Sequence, residues 1–131
     1  MNFKSIFLLV ALLAATSTVG FSQSIFEQWP SLKTFHGVMS ETFHPSEEGN
    51  LAPIKERSGE MADKAAELAK SAIPQAFQKP AMTATLKKLK KDSKALDKMV
   101  KSKAGDPQIT QSLTALHEVF HEIVGLCRDE K

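Results

Sequence analysis

Two histidines four residues apart, His117 and His121, are the side chains best placed to do chemistry in this sequence. On a helix that spacing puts both rings on one face, a turn apart. Two neutral imidazoles aimed the same way make a clamp for a transition-metal ion. The chain has 4 histidines, and the other two, His36 and His44, share one upstream segment. His36 falls on the apolar series Phe26, Trp29, Leu32, Met39, Phe43. An imidazole buried there without a partner is costly, so one is expected. His36, His117 and His121 are therefore the expected ligands of a metal centre, with Met39 or His44 as fourth donor. Zinc or copper suits imidazole combined with thioether.

The stretch His117-Glu118-Val119-Phe120-His121 also spells H-E-x-x-H, in which two histidines hold zinc and the glutamate activates water. The longer form of that motif needs a glycine where Val124 stands, and no strand is expected to hold a peptide substrate. A zinc hydrolase is thus the lesser reading. Glu41-Thr42-Phe43-His44 and Glu118-Val119-Phe120-His121 each match the E-x-x-H of di-iron bundles. Both glutamates lie off their apolar stripes, which argues against that use.

Four segments must position these residues, and proline and glycine punctuate them. The expected helices run from about Ser24 to His44, stopping at Pro45; from Ala52 or Pro53 to Ile73; from Pro80 to about Lys103; and from an Asp106 cap through Pro107 to about Arg128. Ile54, Met61, Ala65, Leu68 and Ala72 repeat at helical spacing. So do Met82, Leu86, Leu89, Leu96 and Val100, and then Ile109, Leu113, Leu116, Phe120, Val124 and Cys127. Nothing alternates as a strand would. The expected fold is all-α, an up-down-up-down antiparallel four-helix bundle. Placing Phe26 opposite Cys127 sets His36 opposite His117, with His121 a turn away. Ser58, Met61, Ala62, Ala65 and Ser93 are then expected to line the same layer and leave room for an ion.

A bundle of this plan, with Met39 on its first helix and His121 on its last, resembles the cytochrome b562 and cytochrome c′ group. The resemblance is one of architecture and covers most of the chain after residue 22. It implies a non-covalent haem held by Met39 and His121 in an electron carrier. Covalent haem is excluded, because the sequence has no C-x-x-C-H.

The remaining features bound the setting. Lys4, the apolar run Ile6 to Ala15, and Gly20 with Ser22 read as a secretory signal peptide over residues 1–22, cut before Gln23. The expected location is secreted or periplasmic, with a bundle domain of residues 23–131. A formal net charge of +2 is not a nucleic-acid signature. Cys127 is the only cysteine, so the core must hold by packing, and pairing between two chains in a homodimer stays open. Lys87, Lys90, Lys91, Lys94, Lys98 and Lys101 form a basic stripe on the third segment, which reads first as a solvated face and second as a contact for an anionic surface. Sequestration, delivery or sensing of a metal fits these features better than turnover, and a ligand-free interaction module is the remaining class.

Overall fold

Each long helix carries a proline at its first or second residue: Pro30, Pro53, Pro80 and Pro107. Proline suits that place because its fixed φ matches the helix and its missing N–H would have no partner there. The computed structural model describes residues 24–128. The expected leader and its cut before Gln23 lie outside them.

The described residues are helical, with no strand among them. A short helix α1 (Ile25–Gln28) precedes four long ones: α2 (Pro30–Glu47), α3 (Ala52–Lys70), α4 (Pro80–Lys101) and α5 (Asp106–Arg128). A 3₁₀ turn, Gln75–Phe77, bridges α3 and α4. The long helices pack in a ring, α2 on α3, α3 on α4, α4 on α5 and α5 on α2. One apolar cluster fills the centre, including Leu32, Phe35, Met39, Ile54, Met61, Leu68, Leu89, Leu96, Leu113 and Leu116. No helix among the described residues is long and apolar enough to cross a membrane.

Three boundaries differ from the sequence expectation. The first segment is two helices, because Trp29 adopts φ −133 and ψ 87 and breaks the chain ahead of Pro30. Trp29 is held there by its Nε1 donating to Ser71 Oγ at 2.9 Å and by stacking on Phe77. Pro45 does not stop α2, which runs on to Glu47. A proline so near the end disturbs only the last turn, and its carbonyl accepts from Glu48 and Asn50 in the cap. The helix α3 ends at Lys70, three residues early, which leaves Ala72 exposed.

The two hairpin-like turns close in the same way. Gly49 (φ +83) follows α2, and Lys103 (φ +57) follows α4. In each case the next amide reaches back five residues, Asn50 to Pro45 and Ala104 to Met99, satisfying a terminal carbonyl. Glycine takes this left-handed conformation freely, whereas Lys103 takes it against its own Cβ.

Candidate functional site

The wheel of α2 settles where its histidine lies. Leu32, Phe35, Val38, Met39, Thr42, Phe43 and Ser46 are the buried residues, so the core line runs through Phe35. His36 is at the edge of that line and half-buried, not at its centre as the sequence pattern suggested. It lies between two parallel rings, Phe26 of α1 at 4.4 Å and Phe120 of α5 at 5.6 Å, each tilted by 15°. The break at Trp29 explains this, since it folds α1 back so that Phe26 lands on His36.

The register of α2 against α5 also differs from the sequence expectation. His36 faces Phe120, and His117 faces Phe43, with ring centroids 3.7 Å apart and planes 11° off parallel. The expected pairing of His36 with His117 assumed that Phe26 continued the line of α2. It does not: His36 meets α5 about one turn further on, at Phe120, and His117 meets α2 about two turns further on, at Phe43.

The backbones of α2 and α5 approach each other at fewer points than the other long-helix neighbours do. Rings fill the wider gap and leave a partly open cleft of about 190 Å³. Its walls include all four histidines, His36, His44, His117 and His121, together with Met39, Phe43 and Phe120. The expected lining from α3 and α4 is elsewhere. Ser58 donates to Asp97 at 2.8 Å, while Met61, Ala65 and Ser93 are buried in the bundle core.

Inside the cleft the i, i+4 pair meets as its spacing required. His117 Nε2 and His121 Nε2 are 3.2 Å apart, with the rings nearly perpendicular. Between neutral rings this is one N–H donating to the other ring's lone pair. His44 stands beside Glu47, Nδ1 to Oε2 at 3.2 Å. If Nδ1 carries the proton, that contact leaves Nε2 with a free lone pair, the arrangement that prepares a metal-ligating imidazole. Met39 lies at the buried side of the cleft, 1 % exposed. Among the described residues no three His, Cys, Asp or Glu side chains already stand as a metal-holding group. The structure therefore brings two of the expected ligands together and places His36, His44 and Met39 around them.

Electrostatics favour the neutral ring at His117 and at His36. Burial lowers the pKa of His117 below its ordinary value, and the neighbouring charge of His121 lowers it further; Glu118 and Glu47 oppose both. Burial likewise lowers His36, with His44 adding to the effect. Glu118 is exposed. Glu41 is also exposed and is engaged by Arg57, which reaches Glu60 as well. Cys127 is half-buried, and burial pushes its thiol up to about 11, so it is a protonated, inert group.

Phe26, Phe43 and Phe120 were not singled out from sequence as walls of the site, and Glu47 was not singled out as a partner of His44. Only Glu47 had a local signal, its i+3 spacing from the histidine. Comparison with protein-family models, curated proteins and solved structures finds no match.

Proposed function

We propose that this chain is an exported helical-bundle protein that binds a transition-metal ion, zinc or copper, for sequestration, delivery or sensing. The observation that carries this reading is the 3.2 Å separation of His117 Nε2 and His121 Nε2. Two nitrogens on one tetrahedral ion, each about 2.0–2.1 Å from it, lie about 3.3 Å apart. The pair thus has the bite of a metal chelate, and an ion would replace the proton the rings share.

His44 is the third donor in this proposal, because its contact with Glu47 orients it and it borders the same cleft. His36 and Met39 are the candidates for the fourth position. A site assembled from α2 and α5 suits an up-down-up-down antiparallel bundle, in which first and last helices are neighbours. The composition of residues 1–22 supports export to a secreted or periplasmic location.

A non-covalent haem between Met39 and His121, as in cytochrome b562-like bundles, is the second reading. Both residues border the cleft, which favours it. Its volume of about 190 Å³ favours an ion with its waters, since sites for larger organic ligands run to roughly 300–1,000 Å³.

Calorimetric titration of metal-free protein with zinc and with copper tests the proposal. One ion should bind per chain at micromolar concentration or below, and the melting temperature should rise with it. A protein that takes up neither ion, or that is isolated coloured by haem, would sink the metal reading.

A further inference from the structure

The helix α4 divides cleanly into two faces. Met82, Leu86, Leu89, Ser93 and Leu96 are buried, and the lysines are outside. At 3.6 residues per turn, Lys87, Lys90, Lys91, Lys94, Lys98 and Lys101 fall within about 100° of one another. With a rise of 1.5 Å per residue they form a line about 21 Å long. All are exposed.

Carboxylates at i±3 or i±4 would stabilise such a face, and like charges there oppose it. Here those charges are elsewhere. Asp92 pairs with Lys88, which stands off the line, and Asp97 turns inward to Ser58 and Lys101. Lys87, Lys90, Lys91, Lys94 and Lys98 have no carboxylate partner among the described residues. At one end the line runs into a groove between α3 and α4, of about 410 Å³, bordered by Lys70, Lys87 and Lys90 over Ala66 and Ala69. The one acid of that groove, Glu67, is already engaged by Lys64 at 3.1 Å. The result is a row of uncompensated cations on a molecule whose formal net charge is only +2.

We infer that the outer face of α4 docks an extended acidic polysaccharide, whose carboxylate or sulfate groups lie along the lysine row and end in the α3–α4 groove. The chemistry of the face selects this partner over other polyanions. It has no aromatic ring to stack a nucleobase. It has no fully exposed large apolar residue to enter a bilayer: Met82, Leu86, Leu89 and Leu96 are buried, and Met99 and Val100 are half-buried. The cations also form a row, not a field: α3 alongside presents the exposed Asp63, which would oppose a planar anionic membrane. A flexible chain of acidic sugars can follow a row and avoid that carboxylate.

The test is affinity chromatography and calorimetry with heparin fragments and with polygalacturonate, one sulfated and one carboxylated. The triple variant Lys87→Gln, Lys90→Gln, Lys94→Gln is compared with Lys33→Gln, Lys55→Gln, Lys88→Gln, which removes equal charge away from the row. Wild type should bind at least one of the two polymers and release it as salt rises. The row variant should lose about tenfold or more in affinity, while the control stays within about twofold. Unchanged far-ultraviolet dichroism in both variants keeps the comparison fair. No binding to either polymer overturns the inference. So does equal weakening in the control, which would mean net charge alone. Tighter binding to single-stranded DNA or to vesicles of phosphatidylserine would assign the face to another partner. Metal uptake by the histidine cleft is independent of all these outcomes.

Discussion

Ser58 Oγ donates to Asp97 Oδ1 across the α3–α4 interface at 2.8 Å, and the other carboxylate oxygen accepts from Lys101 Nζ at 2.6 Å. Asp97 is 9 % exposed, so this is a carboxylate taken largely out of water and repaid by two hydrogen bonds, one of them from a cation. Gly59, one residue on from Ser58, lies beside the pair; a Cβ there would sit 3.7 Å from Asp97 Oδ1, an ordinary contact.

Asp97→Asn should cost about 1–3 kcal/mol at neutral pH, because Lys101 loses its anion and the amide cannot accept at both positions. The pKa of Asp97 is lowered, first by the hydrogen bond from Lys101 and then by that from Ser58, against the opposing effect of burial. A carboxyl whose folded pKa lies below its unfolded value stabilises the fold above the unfolded pKa. That contribution is lost as pH falls through the folded pKa. Urea midpoints should therefore drop more steeply below about pH 4 in the wild type than in the variant. Parallel profiles would mean that the ion pair contributes nothing.

Ser93 Oγ is the opposite case. It is fully buried on α4 and has no hydrogen-bond partner among the described residues. Ser93→Ala should stabilise the protein by about 1 kcal/mol, by removing a desolvated hydroxyl and supplying a better helix former. The measurement is a urea midpoint with unchanged slope. A loss of stability would show that the hydroxyl has a partner such as a buried water.

How far the sequence alone reached follows from which contacts are local. Helix formation is a local matter, and the spacing of Ile54, Met61, Ala65 and Leu68, or of Leu113, Leu116 and Phe120, is enough to read α3 and α5. The meeting of His117 with His121 is equally local, a matter of one helical turn. The facing of α2 and α5 is not. A register counted from Phe26 holds only if Phe26 continues α2, and Trp29, which donates to Ser71 forty-two residues away, breaks that line. No periodicity encodes that contact, so spacing alone sets His36 against His117, where the structure has Phe120. The supposed lining by Ser58 failed for a related reason: its partner Asp97 lies thirty-nine residues on.

Phe26→Ala should release His36 on one side. Its lowered pKa comes first from burial, and Phe26 supplies part of that burial. The pKa of His36 should move up toward the ordinary value of about 6.5, read by NMR titration of its ring protons. The titration of His117, which stacks on Phe43 instead, should barely move. Equal shifts at both rings would point to general loosening of the α2–α5 gap.

The metal site itself is tested residue by residue. His117→Ala or His121→Ala removes half of the chelate and should abolish the rise in melting temperature that zinc or copper causes, along with calorimetric binding. His44→Ala should weaken binding about tenfold or more, since it removes the oriented third donor; Glu47→Gln should weaken it less, through the lost orientation of His44. His36→Ala separates two arrangements. A large loss means that His36 leaves its stack between Phe26 and Phe120 to ligate, whereas a small one leaves the fourth position to Met39 or water. Glu118→Gln should change affinity little, because no ligand role falls to it. Acid gives the independent check. Ligation needs neutral imidazole, so affinity should fall as pH drops below about 6.5. The lowered pKa of His117 should delay protonation of that ring relative to an exposed histidine. Binding that ignores pH and survives both His117→Ala and His121→Ala would assign the ion to some other part of the molecule and leave the paired imidazoles as a hydrogen-bonded wall of the cleft.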